Sequence, residues 1–212
     1  AFPKPKVFQE IVTNNIINYY SDVNNKVVID KCRAWPAHID MLKKYVTNNP
    51  KLICTVRHPL DILASFITLF YKDGTYNFID RAMTEKKIPI TDDNRCHYMM
   101  NPGGIVWESM NALATAFRQK ETQYIHFIQY DDLVSDPRLV MQNLHGFLRL
   151  NSFNYDYDNI IQKDREKDTE VYGLPTMHEV RKSINKISKP YSEVLSTDVI
   201  NKYINYDFWN QQ

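Results

Sequence analysis

Glycine is scarce in this chain, at 5 of 212 residues. No G-x-G-x-x-G, G-x-S-x-G or H-E-x-x-H occurs. The glycine-cradled dinucleotide turn, the nucleophile elbow and the helical zinc-protease pair are therefore excluded. Cysteine is rarer still: Cys32, Cys54 and Cys96 are odd in number and far apart. That spacing supports neither a disulfide framework nor a zinc site, and fits free thiols in a reducing compartment. Six histidines show no ligand spacing, and the adjacent pairs Asp92-Asp93 and Asp131-Asp132 do not make a two-carboxylate site. No metal is expected. Charge of one sign is also missing: 26 Lys and Arg stand against 25 Asp and Glu, a net +1. A nucleic-acid coat needs a large basic surplus, so no nucleic-acid partner is expected. No apolar run reaches the roughly 18 residues of a membrane-spanning helix, and no signal peptide opens the chain.

What is present suits a folded core: 43% hydrophobic and 13% aromatic residues. Three short apolar runs read as strands covered on both faces: Val27-Val28-Ile29, Leu52–Val56 and Ile125–Ile128. Helical periodicity follows in Ala37–Val46, Asp61–Tyr71, Val106–Arg118 and Pro137–Leu150, the last with a proline suited to a first helical position. The order predicts an α/β fold, a three-layer, mostly parallel sheet flanked by helices and joined by right-handed crossovers. Such sheets bind ligands at the carboxyl ends of their strands. The search therefore narrows to Asp30–Pro36, Arg57–Ser65 and Gln129–Asp136. The stretch Lys72–Gly104 reads as a polar, irregular insertion over the site. The tail carries a charged run, Lys163–Glu170, then a basic cluster from Arg181 to Pro190.

Each of those places holds candidate chemistry. Arg57 ends the second strand and Ser65 lies in the helix that follows. A guanidinium fork and a hydroxyl there can grip one anion, helped by the helix N-terminus. The alternative is that Arg57 pairs with Asp61 or Asp30 and Ser65 merely packs. Lys31, directly after the first strand, is placed to stabilise charge on a leaving phosphate oxygen, or else is surface charge in an exposed turn. Tyr130 either stacks on a base or caps the sheet edge. The cluster holding Arg181, Lys182, Ser183 and Lys189 is a solvated loop or a clamp over a polyanion.

Taken in order, these segments resemble the PAPS-dependent sulfotransferases. Leu52–Phe66, LICTVRHPLDILASF, is similar to that family's 3′-phosphate motif, an Arg at a strand end with a Ser eight residues on. Tyr130-Asp131-Asp132-Leu133 with Asp136-Pro137 and Phe147-Leu148 resembles its Y-E-D-L…P…F-L segment. Val28-Ile29-Asp30-Lys31 resembles the strand whose terminal lysine lies near the transferred group. Gly173-Leu174-Pro175, Lys182-Ser183 and Lys189-Pro190 resemble the closing segment of tyrosylprotein sulfotransferases and related microbial enzymes.

The resemblance implies a P-loop nucleotide hydrolase-like sulfotransferase fold. It implies transfer of a sulfuryl group from PAPS to a hydroxyl or amine, releasing PAP. It assigns Arg57 and Ser65 to the 3′-phosphate, Tyr130 to the adenine side, and Lys182, Ser183 and Lys189, with neighbouring Arg181, to closure over the phosphates. Lys31 would steady the bridging oxygen. The family's 5′-phosphosulfate loop is not in this chain, and neither is the glutamate base that follows it in the tyrosylprotein relatives. Arg33 stands where cytosolic relatives have a histidine, and arginine is a poor base. The chain also starts Ala1-Phe2-Pro3, without Met. The expectation is a single domain over 1–212 lacking its first strand and phosphate loop. A cytoplasmic location is expected, or a lumenal one if an upstream segment carries a signal or anchor. The acceptor, whether a small molecule, glycan or peptide, and the oligomeric state are open. Two alternatives stand beside this: a P-loop-type nucleotide kinase, and a non-catalytic nucleotide-binding or scaffold domain.

Overall fold

Two runs rich in β-branched residues, Leu52–Val56 (β1) and Ile125–Gln129 (β2), pair as a parallel sheet flanked by helices in the computed structural model, an α/β fold. The structure describes residues 10, 13–15, 18–22, 27–74, 76–185 and 188–210. Among these, β1 and β2 form the whole sheet. Leu52, Val56, Ile125 and Ile128 are buried. The helices are α1 (Ile39–Tyr45), α2 (Pro59–Asp73), α3 (Phe78–Glu85), α4 (Asp92–Met100), α5 (Ile105–Arg118), α6 (Tyr130–Ser135), α7 (Pro137–Leu148), α8 (Asp168–Tyr172) and α9 (Thr197–Tyr203). No described helix is long and apolar enough to cross a membrane.

The chain clusters into two compact units. The first comprises Ala1–Ile53 and Glu108–His126. Here Trp35–His38 makes a 3-10 turn, started by Pro36, that leads into α1, and Ile39 at the junction is buried. Lys43 reaches from α1 to Glu121 at 2.7 Å and lies over the Tyr124 ring. The expected first strand does not form. Val27, Val28 and Ile29 are irregular and exposed, Ile29 at 71%. A strand is stabilised by cross-strand pairs, and among the described residues this run has no ladder partner.

The second unit comprises Cys54–Trp107 and Phe127–Gln212. Helix α2 buries Leu60, Leu63, Ala64, Ile67 and Phe70, the stripe of an amphipathic helix. It packs on α4 and α9, and on the 3-10 turn Tyr191–Glu193. The stretch expected to be irregular, Lys72–Gly104, instead folds into α3 and α4, which pack on each other. Asn77 and Thr91 cap them by accepting backbone N–H groups of Ile79, Asp80 and Asn94. Their polar look comes from a buried ion network: Arg95 forks both oxygens of Asp80 at 2.8 Å and adds Asp92 at 2.8 Å. Asp80 is fully buried. At the far end of α4, Gly104 is obligatory, because a Cβ there would collide with the carbonyl oxygens of Tyr98 and Met99.

Helix α7 begins with Pro137 as expected, and Asp136 caps it by accepting the Leu139 N–H at 3.0 Å. It ends at Leu148 rather than Leu150, where Arg149 turns left-handed at φ 58°.

Candidate active site

The carboxyl end of β1 carries the first two functional side chains, Arg57 and His58. His58 caps α2: its Nδ1 accepts the Leu60 N–H at 3.2 Å. Nδ1 is therefore a lone-pair acceptor, so the proton sits on Nε2, which donates to the Ile204 carbonyl at 3.1 Å. The His58 ring also stacks on Tyr191 at 5.8 Å between centroids. These contacts fix the backbone from which Arg57 projects.

Arg57 is half-buried and forms no ion pair with Asp61, or with any other described carboxylate of its unit. Its guanidinium lies 4.2 Å over the centre of the Tyr130 ring, and Tyr130 follows β2 directly as the first residue of α6. Its Nη2 donates to Ser188 Oγ at 2.8 Å. Its Nε is buried without a hydrogen-bond partner. A guanidinium braced on an aromatic face, with a buried N–H donor in reserve, has the donor set to grip an anion.

Arg57 and Tyr130 are thus brought together from two strand ends. Ser65 stands exposed in the second turn of α2, beyond the turn that His58 caps. Arg181 and Lys182 are exposed and Ser183 is half-buried. Their segment is held by the Ile160 N–H to the Lys182 carbonyl at 2.7 Å, and Ser183 Oγ accepts from Asn185 Nδ2 at 2.7 Å. Lys189 is exposed, one residue beyond the Ser188 that docks on Arg57. Lys186 and Ile187 lie outside the described residues.

Lys31 belongs to the other unit, where it occupies exposed irregular backbone and not the end of a strand, since Val27–Ile29 forms none. In that loop Asp30 accepts from Trp35 Nε1 at 2.7 Å and from the Tyr20 hydroxyl. That hydrogen bond to a carboxylate raises Tyr20 to about 12.

Two contributors escape a reading by motif. Ser188 is a lone hydroxyl in a basic loop, with no spacing signal. His58 announces itself only weakly, as a capping-capable residue before Pro59. The thiols take no part in this cluster: burial raises Cys54 to about 11 and Cys96 to about 12.

The family model for the sulfotransferase domain matches residues 11–204. No curated protein and no solved structure matches the chain.

Proposed function

The chain belongs to the sulfotransferase family, a family of sulfuryl transferases, and we propose that it takes the sulfuryl group from PAPS and passes it to a hydroxyl or amine. The observation that carries this reading is Arg57, with an unsatisfied buried Nε, a guanidinium braced on Tyr130 and a docked Ser188. A doubly charged phosphate satisfies that donor set, and the low local dielectric strengthens the attraction. In this reading Arg57 and Ser65 hold the 3′-phosphate, and Tyr130 fixes the guanidinium plane on the adenine side. Lys182, Ser183 and Lys189, with Arg181 beside them, close over the remaining phosphates. PAPS supplies an activated sulfuryl group and a phosphate leaving group. The protein's own contribution is to position cations where negative charge develops and to exclude water.

The acceptor class, whether phenol, sugar or peptide, is assigned by transfer of label from radioactive PAPS to a panel of all three. Labelled product from any of them, with free PAP in equal amount, supports the proposal. Phosphoryl transfer from ATP without sulfuryl transfer would favour a nucleotide kinase instead. PAP binding without transfer or hydrolysis would favour a non-catalytic nucleotide-binding domain.

A further inference from the structure

We propose that Glu166, Asp168 and His178 bind one divalent transition-metal ion, Zn²⁺ by preference, and that the ion pins the chain around them to the end of α2. The proposal is independent of the sulfuryl-transfer reading above. Each of the three residues offers one ligand atom, and these atoms lie within 4.8 Å of one another. His178 Nδ1 is 2.6 Å from Asp168 Oδ1 and 3.3 Å from Glu166 Oε2. Two carboxylates therefore converge on one ring nitrogen, which has at most one hydrogen to share between them. Carboxylates held this close repel each other unless positive charge lies between them, and a bound cation supplies it.

The fold of the tail assembles the set. Helix α8 runs only from Asp168 to Tyr172, and Gly173, at φ 68°, reverses the chain. Leu174 is fully buried and anchors the reversal. His178 comes back alongside Asp168, and its backbone N–H donates to Asp168 Oδ2 at 2.8 Å. Asp168 is only 6% exposed, which sets it apart from the acidic clusters of a protein surface. Burying a carboxylate is costly unless it is paired or ligates a metal. The imidazole is held as firmly. Tyr172 walls it edge-on at 5.4 Å and packs in turn on Phe78, the first residue of α3, at 5.5 Å. Gln162 clamps the backbone on both sides, donating to the His178 carbonyl and accepting the Val180 N–H, each at 3.1 Å. Two ligands are thus positioned in advance, and Glu166, its side chain 52% exposed, is the third, reached from solvent.

The ligand types select the ion. Around a tetrahedral Zn²⁺ with bonds of about 2.0–2.1 Å, ligand atoms lie about 3.4 Å apart. The Nδ1 to Oε2 separation of 3.3 Å already meets this. The Nδ1 to Oδ1 contact opens by under about 1 Å as the ion takes the place of the shared hydrogen. The ring then carries its hydrogen on Nε2, stays neutral and ligates through the Nδ1 lone pair. One imidazole with two carboxylates suits Zn²⁺ and, more weakly, Mn²⁺, whereas Mg²⁺ and Ca²⁺ take oxygen ligands throughout.

The position gives the ion a structural role. Thr176, two residues before His178, binds Asp73, the last residue of α2, through its N–H at 2.6 Å and its hydroxyl at 2.7 Å. An ion on His178 reinforces that junction. Arg57 adjoins the other end of α2, a 15-residue helix that spans roughly 22 Å, so the ion stands apart from the anion grip.

The test is calorimetric titration of Zn²⁺, Mn²⁺ and Mg²⁺ into the chelator-treated full chain and into Glu166→Gln and His178→Gln. One Zn²⁺ per chain is expected, with Mg²⁺ weaker by about 100-fold or more. His178→Gln should weaken Zn²⁺ by about 100-fold or more and Glu166→Gln by about 10-fold. Glu166 is exposed, so its variant keeps the metal-free fold, and its unfolding temperature without metal should equal that of wild type. Added Zn²⁺ should raise the unfolding temperature of wild type, and raise that of His178→Gln far less. No saturable Zn²⁺ binding would overturn the site. So would Zn²⁺ affinity unchanged in both variants, which places the ion elsewhere, or Mg²⁺ bound as tightly as Zn²⁺. PAP affinity that depends on Zn²⁺ would overturn the purely structural role.

Discussion

Arg57 rests its guanidinium 4.2 Å above the ring centre of Tyr130, the first residue after β2, while its own position is the first after β1. Two strand ends therefore contribute the two halves of one cation–aromatic pair, and the tail completes it through Ser188 at 2.8 Å. That pairing presents the fork in a fixed plane before any ligand arrives. Less side-chain freedom is then lost on binding, which is how preorganised sites gain affinity.

Tyr130→Leu should weaken PAP binding about 5-fold, the equivalent of roughly 1 kcal/mol for a half-buried cation–π contact. Tyr130→Phe keeps the ring face and should bind within about two-fold of wild type. Calorimetry on both variants checks this; equal losses in Phe and Leu would show that the hydroxyl and not the ring matters.

Stability should fall as pH rises above about 9, and not on the way down from neutrality through pH 6 on account of these groups. Burial holds Cys54 at about 11, and Cys96 and Tyr203 at about 12. In each case the folded state keeps its proton longer than the unfolded chain does. The stabilisation is present in full below the unfolded values and is lost between them and the folded ones. Urea midpoints at pH 7.5 and 10 measure it. Cys96→Val, which removes one such group at similar volume, should show a smaller drop between the two pH values than wild type.

Asp80→Asn or Arg95→Leu should cost about 3–5 kcal/mol, since each leaves a partner of a buried ion pair uncompensated. Asp80 has no exposed side-chain surface and Arg95 has 11%. Thermal unfolding of the single variants and of the pair together checks it. A double variant more stable than either single one is expected, because it leaves no fully buried charge orphaned: Asp92, the carboxylate that also loses Arg95, is 33% exposed.

The sequence made the covered elements legible and the conditional ones obscure. β1, β2, α2, α5 and α7 show their periodicity because one face of each is apolar, and Arg57 and Tyr130 were visible as polar residues ending apolar runs. Val27–Ile29 has the same composition as β1 but no described ladder partner, and pairing is not a property of a single run. The stretch from Lys72 to Gly104 reads as irregular because its helices bury Asp80 and Asn77 beside methionines, which masks the apolar stripe. Its caps, Asn77 and Thr91, were the signal that would have found it. Ser188 lies 131 residues from Arg57, and a hydroxyl in a basic loop gives no hint of so distant a partner. The Asp168–His178 pair spans ten residues with no motif spacing, and only the fold of the tail closes it.

Whether Arg57 grips the phosphate of a sulfuryl donor is decided by calorimetric titration of PAP into the wild-type protein and into Arg57→Ala. Wild type should bind saturably at 1:1, Arg57→Ala about 100-fold or more weakly, with competition by PAPS but not by adenosine. Equal affinities for wild type and Arg57→Ala would contradict it.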